Sequence, residues 1–207
     1  MTFRLDKIDS LFPTPLVHFT LTDHLALNAA LVDEIAVRCA AEPGVSRTNR
    51  LGWHSETDLF ERSEPAQAAL AKALKAMTVE ATARLAPNAV EDRLTMILEG
   101  WINVNPTGAY NSPHDHAGAF WSGVYYVAVP DSEGDSGVIE FLAPQRLYTT
   151  GQKIRAPMTT PKARFRPSAG TLLLFPATLT HWVHPNHSAG DRITVAFNAS
   201  VAAAAKT

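Results

Sequence analysis

From residue 93 to about residue 200 the chain breaks into short apolar runs bounded by glycine, proline, asparagine and aspartate. RLTMILEGWINVNP, FWSGVYYVAVP, SGVIEFLAP, AGTLLLFP, THWVHPN and DRITVAFNAS follow one another. They are short and carry β-branched and aromatic residues between turn formers, as strands do. Six or more short strands with no helical crossover between them predict a sandwich or barrel, not a parallel sheet of βαβ units. No other feature of the chain narrows its fold as far.

The first ninety-two residues read differently. SLFPTPLVHFT at 10–20 carries two prolines and suits a short edge strand. TLTDHLALNAALVDEIAVRCAAE predicts a helix with Thr22 or Asp23 as N-cap, ended by Pro43-Gly44. SRTNRLGWHSETDLFERSEP reads as a polar loop. From Pro65 to about Leu85 the Ala-, Leu-, Lys- and Glu-rich stretch predicts a second helix, closed at Ala86-Pro87. The tail VAAAAKT is expected to fray. The expectation is one domain over 1–207. In it, 1–92 form a helical flank with a short edge strand, and 93–200 form a β core.

Composition excludes several classes. Apolar residues make up 46%, enough for a sizeable core. Eighteen basic against twenty acidic residues give a net charge of −2, with no like-charge run beyond two residues. Neither a nucleic-acid footprint nor an electrostatic membrane anchor is expected. The single cysteine, Cys39, rules out an intrachain disulfide and a Cys-rich metal site, and reads as a helix-face residue. There is no 18-residue apolar run and no signal-like N-terminal stretch, so the expectation is a cytoplasmic protein. A homodimer is only the base-rate expectation.

Five of the eight histidines fall in the β half: His114, His116, His181, His184 and His187. In an extended segment His114 and His116 share one face while Asp115 points to the other. A metal inside a barrel needs such a pair plus a ligand from a distant strand. His181, following the apolar run Leu172–Phe175, is the candidate directed inward, and His184 and His187 lie in a more polar stretch. Arg192, opening an apolar strand, suits bidentate capture of a carboxylate. Each sign also has a plain reading. A lone HxH is common in polar loops, and an arginine at a strand start can pair with Asp191 at the surface. His54 reads as a structural loop residue with an entrance-lining role as the alternative, and His18 and His24 as surface or capping residues. Trp101, Phe120, Trp121 and Trp182 are core residues or cavity walls.

Taken in order, LFPTPL, GWHSETDLF, HDH, SGVYYVAVP, SGVIEF, LLLFPATLTHWVHPN and DRITVAFN resemble the iron(II)/2-oxoglutarate-dependent dioxygenases. They are most similar to a bacterial group of small 2OG-Fe(II) oxygenases. The resemblance implies a double-stranded β-helix, a jelly roll with helices packed on one sheet. It implies Fe(II) held by His114, His116 and His181, with 2-oxoglutarate as cosubstrate and O2 as oxidant. It further implies that Arg192 and Thr194 bind the distal carboxylate of 2-oxoglutarate, with Tyr126, less firmly Tyr125, and Asn103 beside it.

One departure stands out. The common ligand set is two histidines and a carboxylate, yet His116 stands where the carboxylate would be, leaving His116 or Asp115 as third ligand. The implied activity is hydroxylation of an unidentified small molecule or peptide. The alternatives are a three-histidine cupin-type dioxygenase without 2-oxoglutarate and a non-enzymatic, metal-stabilised jelly roll.

Overall fold

The computed structural model describes residues 4–87, 95–144 and 159–202. Two antiparallel sheets form the core. The larger has six strands in the order β1 (Val17–Thr20), β9 (Thr171–Pro176), β6 (Trp121–Ala128), β11 (Arg192–Ala202), β4 (Thr95–Asn105) and β3 (Trp53–His54). The smaller has five: β2 (Asn49–Arg50), β5 (Tyr110–His114), β10 (His181–Val183), β7 (Ile139–Leu142) and β8 (Lys162–Phe165). This is the sandwich expected from the short-run pattern, and it agrees with the mainly β jelly roll that the resemblance implies.

Two helices cover the outer face of the larger sheet. α1 runs His24–Ala41 and α2 runs Pro65–Leu85, the second with proline in its first turn, where a missing N–H costs nothing. Asp23 occupies the N-cap of α1 without a side-chain cap bond. Leu31, Ile35, Leu70 and Leu74 of the helices pack against Trp121, Tyr125, Val195 and Phe197 of the sheet. A second apolar cluster, including Val124, Tyr126, Phe141, Leu173 and Phe175, fills the space between the sheets. Alternate residues of one strand therefore serve opposite layers. No helix among the described residues is long and apolar enough to cross a membrane.

Three local expectations change. The polar loop contains β2, β3 and a 3-10 turn at Leu59–Glu61, because its backbone pairs with β5 and β4. The N-terminal edge strand covers only Val17–Thr20, since Pro13 and Pro15 offer no ladder N–H. Val201 and Ala202 of the tail continue β11, paired with Met96 and Thr95. The rest of the tail lies outside the described residues, as do Arg93 and Leu94.

Candidate metal centre

The register of the smaller sheet brings the histidines together. His181, the first residue of β10, pairs directly with His114, the last residue of β5. His116 follows in the turn, its amide donating to the Ala177 carbonyl. Ring centroids lie 4.4 Å apart for His114–His181, 4.9 Å for His114–His116 and 5.4 Å for His116–His181. One ring nitrogen from each falls within 4.8 Å of the other two. Asp115 is exposed and accepts a hydrogen bond from the Ala117 N–H, outside this trio.

Hydrogen bonding prepares two of the rings as ligands. His114 Nδ1 lies 2.7 Å from the Ser112 carbonyl, and His181 Nδ1 lies 2.9 Å from the Leu179 carbonyl. A carbonyl only accepts, so each Nδ1 carries the proton and each Nε2 keeps a free lone pair. Burial lowers the pKa of all three imidazoles. With His114 nearby, that of His116 falls to about 4 and that of His181 to about 3. At neutral pH the trio is uncharged and offers lone pairs, as a divalent transition-metal site requires.

The trio stands at a cavity of about 400 Å³ whose floor is built in rungs. Arg192 of β11 pairs with Asn105 of β4. Thr194 lies between Asn103 and Tyr126 of β6, Ala196 between Trp101 and Val124, and Asn198 between Glu99 and Ser122. His54 of β3 extends the second rung beside Asn103 and stacks on Trp101 at 5.6 Å. His54 is buried, lines the cavity and lies with its Nδ1 2.6 Å from the Ser55 carbonyl.

Arg192 closes the deep end. It is 3% exposed, its guanidinium lies over the Tyr126 ring at 5.1 Å, and no carboxylate neutralises it among the described residues. Burial depresses its pKa and pushes that of Tyr126 up to about 12. Gly137, at φ 64°, lies against it, and a Cβ there would come within 3.0 Å of the arginine Cδ. Buried polar atoms without a partner among the described residues are Arg192 Nε, Tyr126 OH, Asn103 Oδ1, Asn105 Oδ1 and Asn198 Oδ1. All belong to the cavity face of β4, β6 and β11. A buried, unpaired guanidinium beside a free phenol fits a ligand carboxylate.

Other candidates fall elsewhere. Tyr125 points to the helices, where its hydroxyl donates to Asn28 Oδ1. Trp121 donates to Thr82 on the same side, and Phe120 is 45% exposed. Trp182 and His184 turn to Glu140, which also meets Lys162 and Arg164, and His187 is exposed. Burial would raise the Glu140 pKa, but hydrogen bonds from Trp182, Arg164, Lys162 and His184 outweigh it and bring it to about 2. Glu99, Ser122 and Asn198 line the cavity and were not singled out from sequence. Their signal is the alternation of polar with apolar residues through both EGWINVN and RITVAFN.

Residues 99–198 match the family model described as "Putative 2OG-Fe(II) oxygenase". No curated protein matches the chain. Among solved structures, a Pseudomonas putida prolyl-4-hydroxylase aligns at 17% identity over 89% of this chain and 91% of its own, with a TM-score of 0.65. A Trichoplax adhaerens prolyl hydroxylase, solved with a hypoxia inducible factor peptide fragment, aligns at 14% identity over 89% and 83%, TM-score 0.63. HygX from Streptomyces hygroscopicus, solved with nickel, 2-oxoglutarate and hygromycin B, aligns at 14% over 90% and 83%, TM-score 0.58. These likenesses agree in fold with the sandwich described above. The family match runs from Glu99 to Asn198, through the rungs that β4, β6 and β11 build and all three histidines, and by this match residues 99–198 belong to the 2OG-Fe(II) oxygenases.

Proposed function

We propose that this chain is an iron(II)/2-oxoglutarate-dependent hydroxylase, folded as one domain, with His114, His116 and His181 as iron ligands. The observation that carries this reading is a neutral histidine trio in the same cavity as a buried, unpaired Arg192. That arginine favours 2-oxoglutarate dependence over the three-histidine, cosubstrate-free alternative, which has no use for a cation there.

Bound iron and cosubstrate supply dioxygen activation: one oxygen atom enters the 2-oxo acid as it loses CO2 to give succinate, and the other enters a substrate C–H bond. The chain's residues bind and orient. Arg192 and Thr194 receive the distal carboxylate, with the Tyr126 hydroxyl and Asn103 beside it. Ser112 and Leu179 hold the imidazoles of His114 and His181 in their ligating tautomer. Trp101, Val124 and Phe175 keep the walls apolar and limit water. The placement of Asp115, exposed and bonded to Ala117, supports His116 as third ligand. We read the protein as cytoplasmic, acting on a small molecule or peptide, without nucleic-acid or membrane partners; a homodimer remains the base-rate assignment.

The test is anaerobic loading with iron(II) and 2-oxoglutarate. Wild type should hold one iron per chain and develop a weak visible chelate band. His116→Ala should lose iron while Asp115→Ala keeps it. Loss in the aspartate variant alone overturns the three-histidine set, and a wild-type spectrum unmoved by 2-oxoglutarate overturns the reading as a whole.

A further inference from the structure

We propose that the rung Glu99–Asn198–Ser122 recognises the substrate, and that it selects a substrate bearing a guanidinium or protonated amine. This rests on the oxygenase reading above, and it starts from position. Arg192 and Asn198 are six residues apart on β11, roughly 20 Å along the strand. The cosubstrate carboxylate belongs at Arg192. The histidines stand over the other end of the floor: His116 lies 5.6 Å from Trp101 between ring centroids and 3.4 Å from Asn198 Nδ2. The rung at Glu99 is the last before the surface and is left over once metal and cosubstrate are seated.

Its chemistry is that of an acceptor. Asn198 is nine-tenths buried, and its Nδ2 is 3.4 Å from Glu99 Oε1, which leaves Oδ1 buried without a partner. Glu99 has no cationic partner among the described residues, and its long bond from Asn198 is the only one it accepts there. Asp115 adds a second carboxylate to the lining. The other lining cation besides Arg192, Arg47, acts electrostatically on His54, which sits beside Asn103 and two rungs from Glu99. An anionic substrate group at this rung would meet unpaired carboxylates. An alcohol would satisfy Asn198 alone and gain nothing from Glu99, which stands exposed at the mouth of the cavity. A guanidinium or ammonium donates to both and makes a charge-assisted pair.

The experiment titrates three fragments of similar size, ethylguanidinium, butyrate and 1-butanol, into the zinc- and 2-oxoglutarate-loaded protein, read by saturation-transfer NMR. Ethylguanidinium stays charged and does not ligate zinc. It should bind about tenfold or more tighter than either other fragment, the scale of one charge-assisted contact. Glu99→Gln should erase that preference while zinc content and 2-oxoglutarate affinity stay at wild-type values. Ethylguanidinium binding no tighter than butyrate or butanol, whether all bind or none does, overturns the proposal. So does a preference that survives in Glu99→Gln. Failure of the wild type to take up zinc or 2-oxoglutarate strikes at the oxygenase reading instead. The same titration on ligand-free protein then still decides the rung.

Discussion

Tyr125 and Tyr126 are adjacent in β6 and equally buried, yet they face opposite layers. Tyr125 faces the helices, where every polar group of the contact is answered: its hydroxyl donates to Asn28 Oδ1, Asn28 Nδ2 donates to the Val127 carbonyl, and Trp121 donates to Thr82. Tyr126 faces the cavity, where its hydroxyl, Arg192 Nε and three asparagine oxygens have no partner among the described residues. Each buried group left unpaired costs about 1–3 kcal/mol. The same sheet is thus finished on one side and left open on the other. Stability resides on the helix face, and affinity for ligands resides on the face that is incomplete without them.

This contrast can be broken at its strongest point, Arg192. Arg192→Leu should weaken 2-oxoglutarate binding about thirtyfold or more, since losing one partner of a buried charge pair costs roughly 2–5 kcal/mol and 1.4 kcal/mol is a decade. The same change should raise, not lower, the melting temperature of the ligand-free protein, because it removes an uncompensated buried charge. Calorimetry on both states reads the two signs, and a fall in both would erase the distinction between the faces.

The tyrosine pair sharpens the comparison. Tyr125→Phe strands Asn28 Oδ1 and should cost about 1–3 kcal/mol of unfolding free energy with 2-oxoglutarate affinity intact. Tyr126→Phe removes a hydroxyl that is already unpaired, so stability should hold while 2-oxoglutarate affinity drops about tenfold. Urea denaturation and a binding isotherm on each variant suffice. Equal behaviour of the two variants would contradict the division.

The smallest effect concerns Glu140, a buried carboxylate on the smaller sheet that is fully partnered and so behaves like the helix face. Its folded pKa of about 2 lies below the ordinary carboxylate value. Its contribution is therefore present above that ordinary value and is lost as pH falls toward 2. Lys162 and Arg164 are about 40% exposed, so screening limits the effect. Glu140→Gln should cost about 1 kcal/mol at pH 7 and close to nothing at pH 2, measured by denaturant titration at both.

Much of this arrangement is legible in the chain. The α2 limits, the short-strand core, the shared direction of His114 and His116, and the inward course of Arg192 follow from periods of 3.6 and 2 and from proline and glycine placement. What escapes is set by long-range pairing. Trp53-His54 and Asn49-Arg50 become strands only because β4 and β5 lie alongside, and nothing local marks them. β8, with its charged KARF, hides because its partners Glu140 and Asp135 are distant in sequence. Tyr125 and Tyr126 could be separated only once the register against β11 was known. Asn198 and Glu99 escaped because polar residues alternating in a strand suggest a solvent face, whereas here that face looks into the protein.

The unbroken pairing of β11 with β4, from Arg192↔Asn105 to Ala202↔Thr95, makes the site tolerant of one kind of genetic change and intolerant of another. Substitution alters one position on one face. Deletion of a single codon within Met96–Val104 shifts every residue on one side of the lesion by one and exchanges the faces. Trp101 and Asn103 would turn toward the helices, and Ile102 and Val104 toward the histidines. One such event would abolish the cofactor pocket and the helix-packing layer together. Length variation in this lineage should therefore be confined to the connections between strands, with the floor itself diversifying only by replacement.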